Sequence, residues 1–254
     1  MIRTLLIWGL LAGLCGGLLA TGFSEVAGEP AVNQAIAFES AKAKAAGETE
    51  EPEIVSRGVQ RTIGLFTAAT IFGVSMGGLF ALAFAFAYGR VGRASPGRTA
   101  LWLAAGAFVV VYLVPFLKYP ANPPSVGDPG TISKRTELYL AMIVCSLLAA
   151  VAALRVRAWL AERRDPTTAT VVAGLSYLAV VVAAGLILPG IHEVPTGFPA
   201  TTLWRFREAS IGMQAVLWTT IGVIFSVAAQ RVMTGEPVLR RRAASTGLVG
   251  SPGD

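Results

Sequence analysis

The one histidine in the chain, His192, stands beside a carboxylate in Pro189-Gly190-Ile191-His192-Glu193-Val194-Pro195. Imidazole and carboxylate together suit a borderline divalent cation such as cobalt, nickel or zinc. Two adjacent residues are not a site, because three or more ligands must converge. Asp128 is the acid expected to complete the set, with Glu29, Glu39 and Glu137 as further donors on neighbouring segments. The alternative is that His192 is a hydrogen-bonding residue at a membrane interface, and the sequence leaves both readings open. A second constellation is basic. Glu53 and Arg57 are four apart with Arg61 one turn on, Arg205 and Glu208 are three apart beside Arg207, and Lys118 and Arg135 bracket another polar segment. Charges at these spacings pair along a helix, so a network of ion pairs around a vestibule is expected, with interfacial anchoring as the alternative. A path for cations lined by unpaired arginines would repel its cargo.

Catalytic chemistry finds no support. The sequence carries no HExxH, GxSxG, paired intramembrane Asp or glycine-rich phosphate loop, so no enzyme and no permanently bound cofactor are expected. Cys15 and Cys145 both lie in apolar runs and form no CxxC pair.

The elements that must position these groups are read from composition. Apolar residues make up 54% of the 254 positions and charged ones only 14%, against roughly 25% charged in a soluble domain. That is too little charge to cover a globule in water. The net charge of +6 flanks the hydrophobic runs and forms no stripe interleaved with aromatics, which argues against nucleic acid. The fold class is therefore an all-α integral membrane protein, a bundle of about six transmembrane helices.

Six runs lack Asp, Glu, Lys and Arg and approach the roughly 20 residues a span requires: 4–23, 62–89, 99–117, 138–154, 167–188 and 209–230. A five-span reading would make one of them re-entrant. The first run follows Arg3 but exceeds the 7–15 residues typical of a signal-peptide core, so it is expected to be a retained span. The fourth is short, and Lys134, Arg135, Arg155 and Arg157 can extend it by snorkelling. Segments 24–61, 118–137 and 189–208 lie on the outer side and give three hairpins of one plan, with a flexible cytoplasmic tail over 233–254. Ser95-Pro96 and Asp165-Pro166 each have the form of an N-cap followed by proline. Their short loops make spans two and three, and spans four and five, antiparallel neighbours. An amphipathic helix is expected after Glu29-Pro30. Short-loop Lys and Arg favour the side of Arg3, Arg90, Arg93, Arg98, Arg155 and Arg157 as cytoplasmic, which puts both termini inside.

Packing has its own signal. Gly9, Gly13 and Gly17 repeat every four residues in the first span, as do Gly73, Gly77 and Ala81 in the second. Small residues so spaced line one helix face and let backbones approach where lipid removes the hydrophobic drive. Between the spans' ends no ionisable side chain occurs. The embedded polar groups include Thr67, Thr70, Ser75, Ser146, Ser176, Tyr177, Gln214, Thr219 and Thr220, with Met76, Met142 and Met213 as soft ligands; Gln214 is the one that stands out.

Several strings resemble the CbtA family, the larger subunit of a cobalt transporter. They include Gly28-Glu29-Pro30, Val55-Ser56-Arg57 with Gln60-Arg61, and Gly77-Gly78-Leu79-Phe80-Ala81. The most specific are Val114-Pro115-Phe116-Leu117-Lys118-Tyr119-Pro120-Ala121-Asn122-Pro123-Pro124 and Leu203-Trp204-Arg205-Phe206-Arg207. The resemblance runs to about Gln230. It implies cobalt uptake across the bacterial cytoplasmic (inner) membrane, with cobalt as substrate. It also implies a small partner, CbtB, with one span and a histidine-rich end. It carries over no metal ligands. A non-transporting scaffold for a partner membrane protein is the alternative, favoured by the uncharged core.

Overall fold

The computed structural model describes residues 1–47, 56–92, 94–124 and 126–235, with Arg57, Arg61 and Pro129 described in their backbone alone. Glu53 and the tail beyond Gly235 lie outside the described residues. Within them the protein is helical and has no strand. We number the helices α1 (Ile2–Ala27), α2 (Glu29–Ala46), α3 (57–87), α4 (Pro96–Lys118), α5 (Ile132–Ala161), α6 (Pro166–Ile187) and α7 (Ala200–Thr234). Six of these are long and apolar enough to cross a membrane; α2 is the exception.

Helix ends follow local chemistry. The Ser95 hydroxyl accepts from the Arg98 N–H at 3.5 Å and the Asp165 carboxylate from the Thr168 N–H at 2.8 Å. Pro96 and Pro166 occupy the first turns they cap, where a missing N–H costs nothing. Helices α5 and α7 outrun their charge-free stretches furthest. α5 has 30 residues and α7 has 35, so α7 is roughly 50 Å long at 1.5 Å per residue, against a hydrocarbon core of roughly 30 Å. Arginine ends an apolar run without ending a helix, because it is a good helix former. The extensions therefore carry Arg135, Arg205 and Arg207 beyond the apolar zone on rigid elements.

The tightest contact joins α1 and α3. A Cβ built at Gly9 would stand 2.5 Å from the Gly77 carbonyl oxygen, and one at Gly17 would stand 2.6 Å from that of Ala69. A Cβ at Gly13 would collide with the Gly73 carbonyl, and one at Gly77 with that of Gly9. Ala81 closes the seam against Gly9. The antiparallel register is therefore 9 opposite 77, 13 opposite 73 and 17 opposite 69. α7 packs on the other side of α1, its Leu217 and Ile221 meeting Gly16, and α4 packs along α7. These four helices enclose an aromatic centre in which Phe225 meets Phe80 at 5.2 Å and Phe84 at 5.1 Å between ring centroids.

Helices α5 and α6 form a separate antiparallel pair. The buried Ser146 hydroxyl and the Tyr177 hydroxyl lie 2.8 Å apart across it. The pair meets the other helices chiefly along 108–118 of α4. Packing thus does not sort into three equal hairpins: α1 lies against α3, but α6 lies along α5 and not along α7, and α3 and α4 touch little. The reason is that a connection, eight residues from α3 to α4 and twelve from α6 to α7, fixes where a helix starts and not which face it buries.

We call distal the end where α1 stops and α7 begins. There α2 carries on from α1 through Gly28, which keeps right-handed helical angles, and lies against the start of α7. Gln34 Oε1 accepts from the Thr202 hydroxyl at 2.9 Å, and the Phe38 and Phe198 rings meet edge to face at 5.2 Å.

Candidate functional site

A cleft of about 890 Å³ opens at the distal end between the four-helix group and the α5–α6 pair. Its walls are the end of α4, the start of α5, the stretch around His192 and the start of α7. Local sequence shapes each wall. In α4, Pro115 cannot donate to the carbonyl of Val111, and the preceding turns widen into π geometry, with the Val114 N–H reaching back to the Val109 carbonyl. The same wider turns place Tyr112 on the inner wall. After Lys118, the prolines of Pro120-Ala121-Asn122-Pro123-Pro124 keep the chain extended across the end of the bundle.

The polar groups of the cleft interlock. Arg135 Nε lies 3.5 Å from Glu193 Oε2, and the same oxygen accepts from the Asp128 N–H at 3.2 Å. This is charge contact without an aligned hydrogen bond, since the Arg135 Nε–H has no acceptor in line. Arg207, half-buried, donates from Nε to the Ala121 carbonyl at 3.2 Å and from Nη2 to Asn122 Oδ1 at 3.0 Å. Tyr119 donates its hydroxyl to the Pro189 carbonyl at 2.9 Å, tying two distal loops together. Desolvation pushes the Tyr119 phenol above its ordinary pKa, so it remains a donor. Lys118 lies with its ammonium 5.7 Å from the Tyr119 ring centroid, a cation–π contact. The Tyr112 hydroxyl is buried and has no hydrogen-bond partner.

His192, Glu193 and Asp128 are neighbours here but do not present their donors to one point. His192 is exposed, on the cleft's rim. Glu193 turns inward to Arg135. Asp128 offers Glu193 its backbone, while its own Oδ1 accepts from the Gly130 N–H at 2.8 Å. Among the described residues no three His, Cys, Asp or Glu side chains are grouped to hold a metal ion. Glu29 is buried at the base of α2, away from these residues.

Of the basic constellation, Lys118, Arg135 and Arg207 line the cleft. Arg205 and Glu208 instead border a smaller cavity of about 230 Å³ beneath α2, with Phe23 and Gln34. No ion pair joins the two. The expected pair of Glu53 with Arg57, and Arg61 beyond it, involves side chains outside the described residues. Sequence reading missed Tyr112, Tyr139 and Asn122 in the cleft. A phenol inside a charge-free run was the available signal for the tyrosines, and Asn122 sat in a string noted only for its prolines. Gln214 borders neither cavity.

Comparison with known proteins gives one match. The model of the family described as "Probable cobalt transporter subunit (CbtA)" matches residues 2–230. No curated protein and no solved structure matches the chain.

Proposed function

The chain belongs to the CbtA family of cobalt transporter subunits, and from that premise we propose that it is the membrane subunit that receives the metal for uptake, at the distal cleft. The cleft is the observation that carries this reading: it is a recess of about 890 Å³, largely apolar with charged side chains set into it, at the joint between two separately packed groups of helices. Such a joint is where a bundle can open on one side and then the other. In this reading the membrane is the bacterial cytoplasmic membrane, both termini are cytoplasmic, and the distal end faces outward. The excess of short-loop arginines on the opposite side supports that orientation.

His192 on the rim supplies one imidazole, with Glu193 and Asp128 beside it as carboxylates that would have to leave their present partners. One free imidazole is a thin ligand set for a divalent cation. A small single-span partner with a histidine-rich end, of the CbtB kind, would complete it. The name "subunit" agrees with a partner of some kind.

The second reading, a scaffold without transport activity, draws on the buried aromatic centre that Phe80, Phe84 and Phe225 form among α1, α3, α4 and α7. Uptake of labelled cobalt separates the two. Cells expressing the chain with the partner should accumulate cobalt above cells expressing either alone, and His192→Ala should reduce the rate. Equal uptake in every arm would remove both the partner and the histidine from the mechanism. Uptake by the partner alone, undiminished without this chain, would make it a scaffold.

A further inference from the structure

The charges of the cleft do not suit a bare cation. Among the described residues that line it, Lys118, Arg135 and Arg207 face one carboxylate, Glu193, a surplus of two positive charges, which stays positive when the Asp128 carboxylate next to Glu193 is counted. Glu193 is already engaged by Arg135 and by the Asp128 N–H. Arg207 spends two donors on neutral acceptors, which hold the guanidinium in place and leave its charge uncompensated. Lys118 leans on a ring and not on an acid. Tyr112 adds a buried hydroxyl with no partner. The lining is rich in donors and net positive, and low-dielectric walls strengthen the repulsion a divalent cation would meet. At about 890 Å³ the cleft also falls among small-molecule sites, which span roughly 300–1,000 Å³, far beyond what one ion needs.

Building on the transport reading above, we infer that the cleft recognises a small polycarboxylate anion, and that cobalt enters it as the anionic complex of that ligand. A carboxylate matches the planar fork of an arginine and takes two parallel hydrogen bonds from it. Lys118, a point charge on a flexible stem, can follow a second carboxylate. His192 on the rim then meets a metal that brings most of its own ligands, so the lack of a three-ligand cluster among the described residues is no obstacle. An anionic lipid headgroup offers similar oxygens to the same cations, and the test separates the two sources.

The full chain in phosphatidylcholine nanodiscs is titrated calorimetrically with citrate, with cobalt(II) citrate and with cobalt(II) chloride. Citrate and its cobalt complex should each saturate one site, more weakly as salt rises, and cobalt chloride should not bind. Arg207→Gln should weaken citrate at least about tenfold, the scale of one charge-assisted hydrogen bond. Arg163→Gln, near the far end of α5 beside Trp159, should leave binding unchanged. Saturable binding of cobalt chloride with none of citrate overturns the inference on the wild-type chain alone, whatever the variants do. Loss of citrate binding in discs containing phosphatidylglycerol also overturns it, by assigning the cleft to a lipid phosphate. Labelled uptake distinguishes the two levels. Citrate binding with no cobalt uptake in any arm removes the transport reading and leaves the anion site; uptake of chelator-free cobalt without citrate binding does the reverse.

Discussion

Replacing Gly13 by alanine adds one methyl group to the seam between α1 and α3, and the structure fixes what it meets. Its Cβ would collide with the Gly73 carbonyl oxygen and would stand 2.9 Å from both the Gly73 carbonyl carbon and the Gly77 Cα. All three are backbone atoms, so no side chain can rotate aside. The helices must separate by roughly 0.5–1 Å, which forfeits a quarter to a half of the attraction of each facing atom pair along the seam. Overpacking of this kind costs up to about 3 kcal/mol. Alanine returns about 1 kcal/mol of helix propensity over glycine, leaving a net loss of about 2 kcal/mol. Gly22, in the same helix, has nothing within 4 Å of its ideal Cβ, so Gly22→Ala keeps the propensity gain and should be neutral or stabilising by up to about 1 kcal/mol. The assay is reversible unfolding in mixed micelles at rising mole fraction of SDS, followed by circular dichroism. A Gly13→Ala protein as stable as the Gly22→Ala protein would refute the close approach of α1 and α3.

Other expectations rest on single contacts. Tyr177→Phe leaves the buried Ser146 hydroxyl without its partner and should cost about 1 kcal/mol in the same assay; adding Ser146→Ala should recover most of the loss. Asp165 caps α6 as a carboxylate, and the hydrogen bond from the Thr168 N–H lowers its pKa below the ordinary value of 3.8. A depressed pKa means this stabilisation is present above the unfolded-state value and is lost as pH falls through the folded one. Asp165→Asn should therefore flatten the acid limb of the stability profile, and an unchanged limb would exclude the cap as its source. Tyr119→Phe removes the bond to the Pro189 carbonyl and should speed hydrogen exchange in the stretch around His192 without altering exchange in α1 or α3.

Much of the architecture could be read directly. The six charge-free runs located the six helices long and apolar enough to cross a membrane, because hydrocarbon excludes ionisable groups, and Ser95-Pro96 and Asp165-Pro166 marked helix starts because capping is local. The glycine spacing pointed to the contact of α1 with α3, since a four-residue period keeps small residues on one face. Helix ends were less legible where Arg135, Arg155 and Arg205 interrupt an apolar run but prolong a helix. Helix partners were not legible, because nothing in the sequence of α6 says that it packs along α5 and not along α7. The site divides in the same way. Lys118, Arg135 and Arg207 could be named as distal charges, but that they share one cleft while Arg205 faces another depends on the rotation of α7. His192 and Glu193 are consecutive in a stretch without helix, where neighbouring side chains diverge, so adjacency in sequence did not become convergence in space.

The sparse attachment of the α5–α6 pair has a mechanical consequence. Among the described residues its helix-to-helix contact with the rest is concentrated near the distal end, along 108–118 of α4. Towards the opposite end the pair has little packing against the four-helix group, and in a bilayer lipid acyl chains would fill that gap. Membrane thickness and lateral pressure would then act on that wedge as on the long arm of a lever, with the cleft at the fulcrum. A change of lipid composition would be expected to alter the width of the mouth.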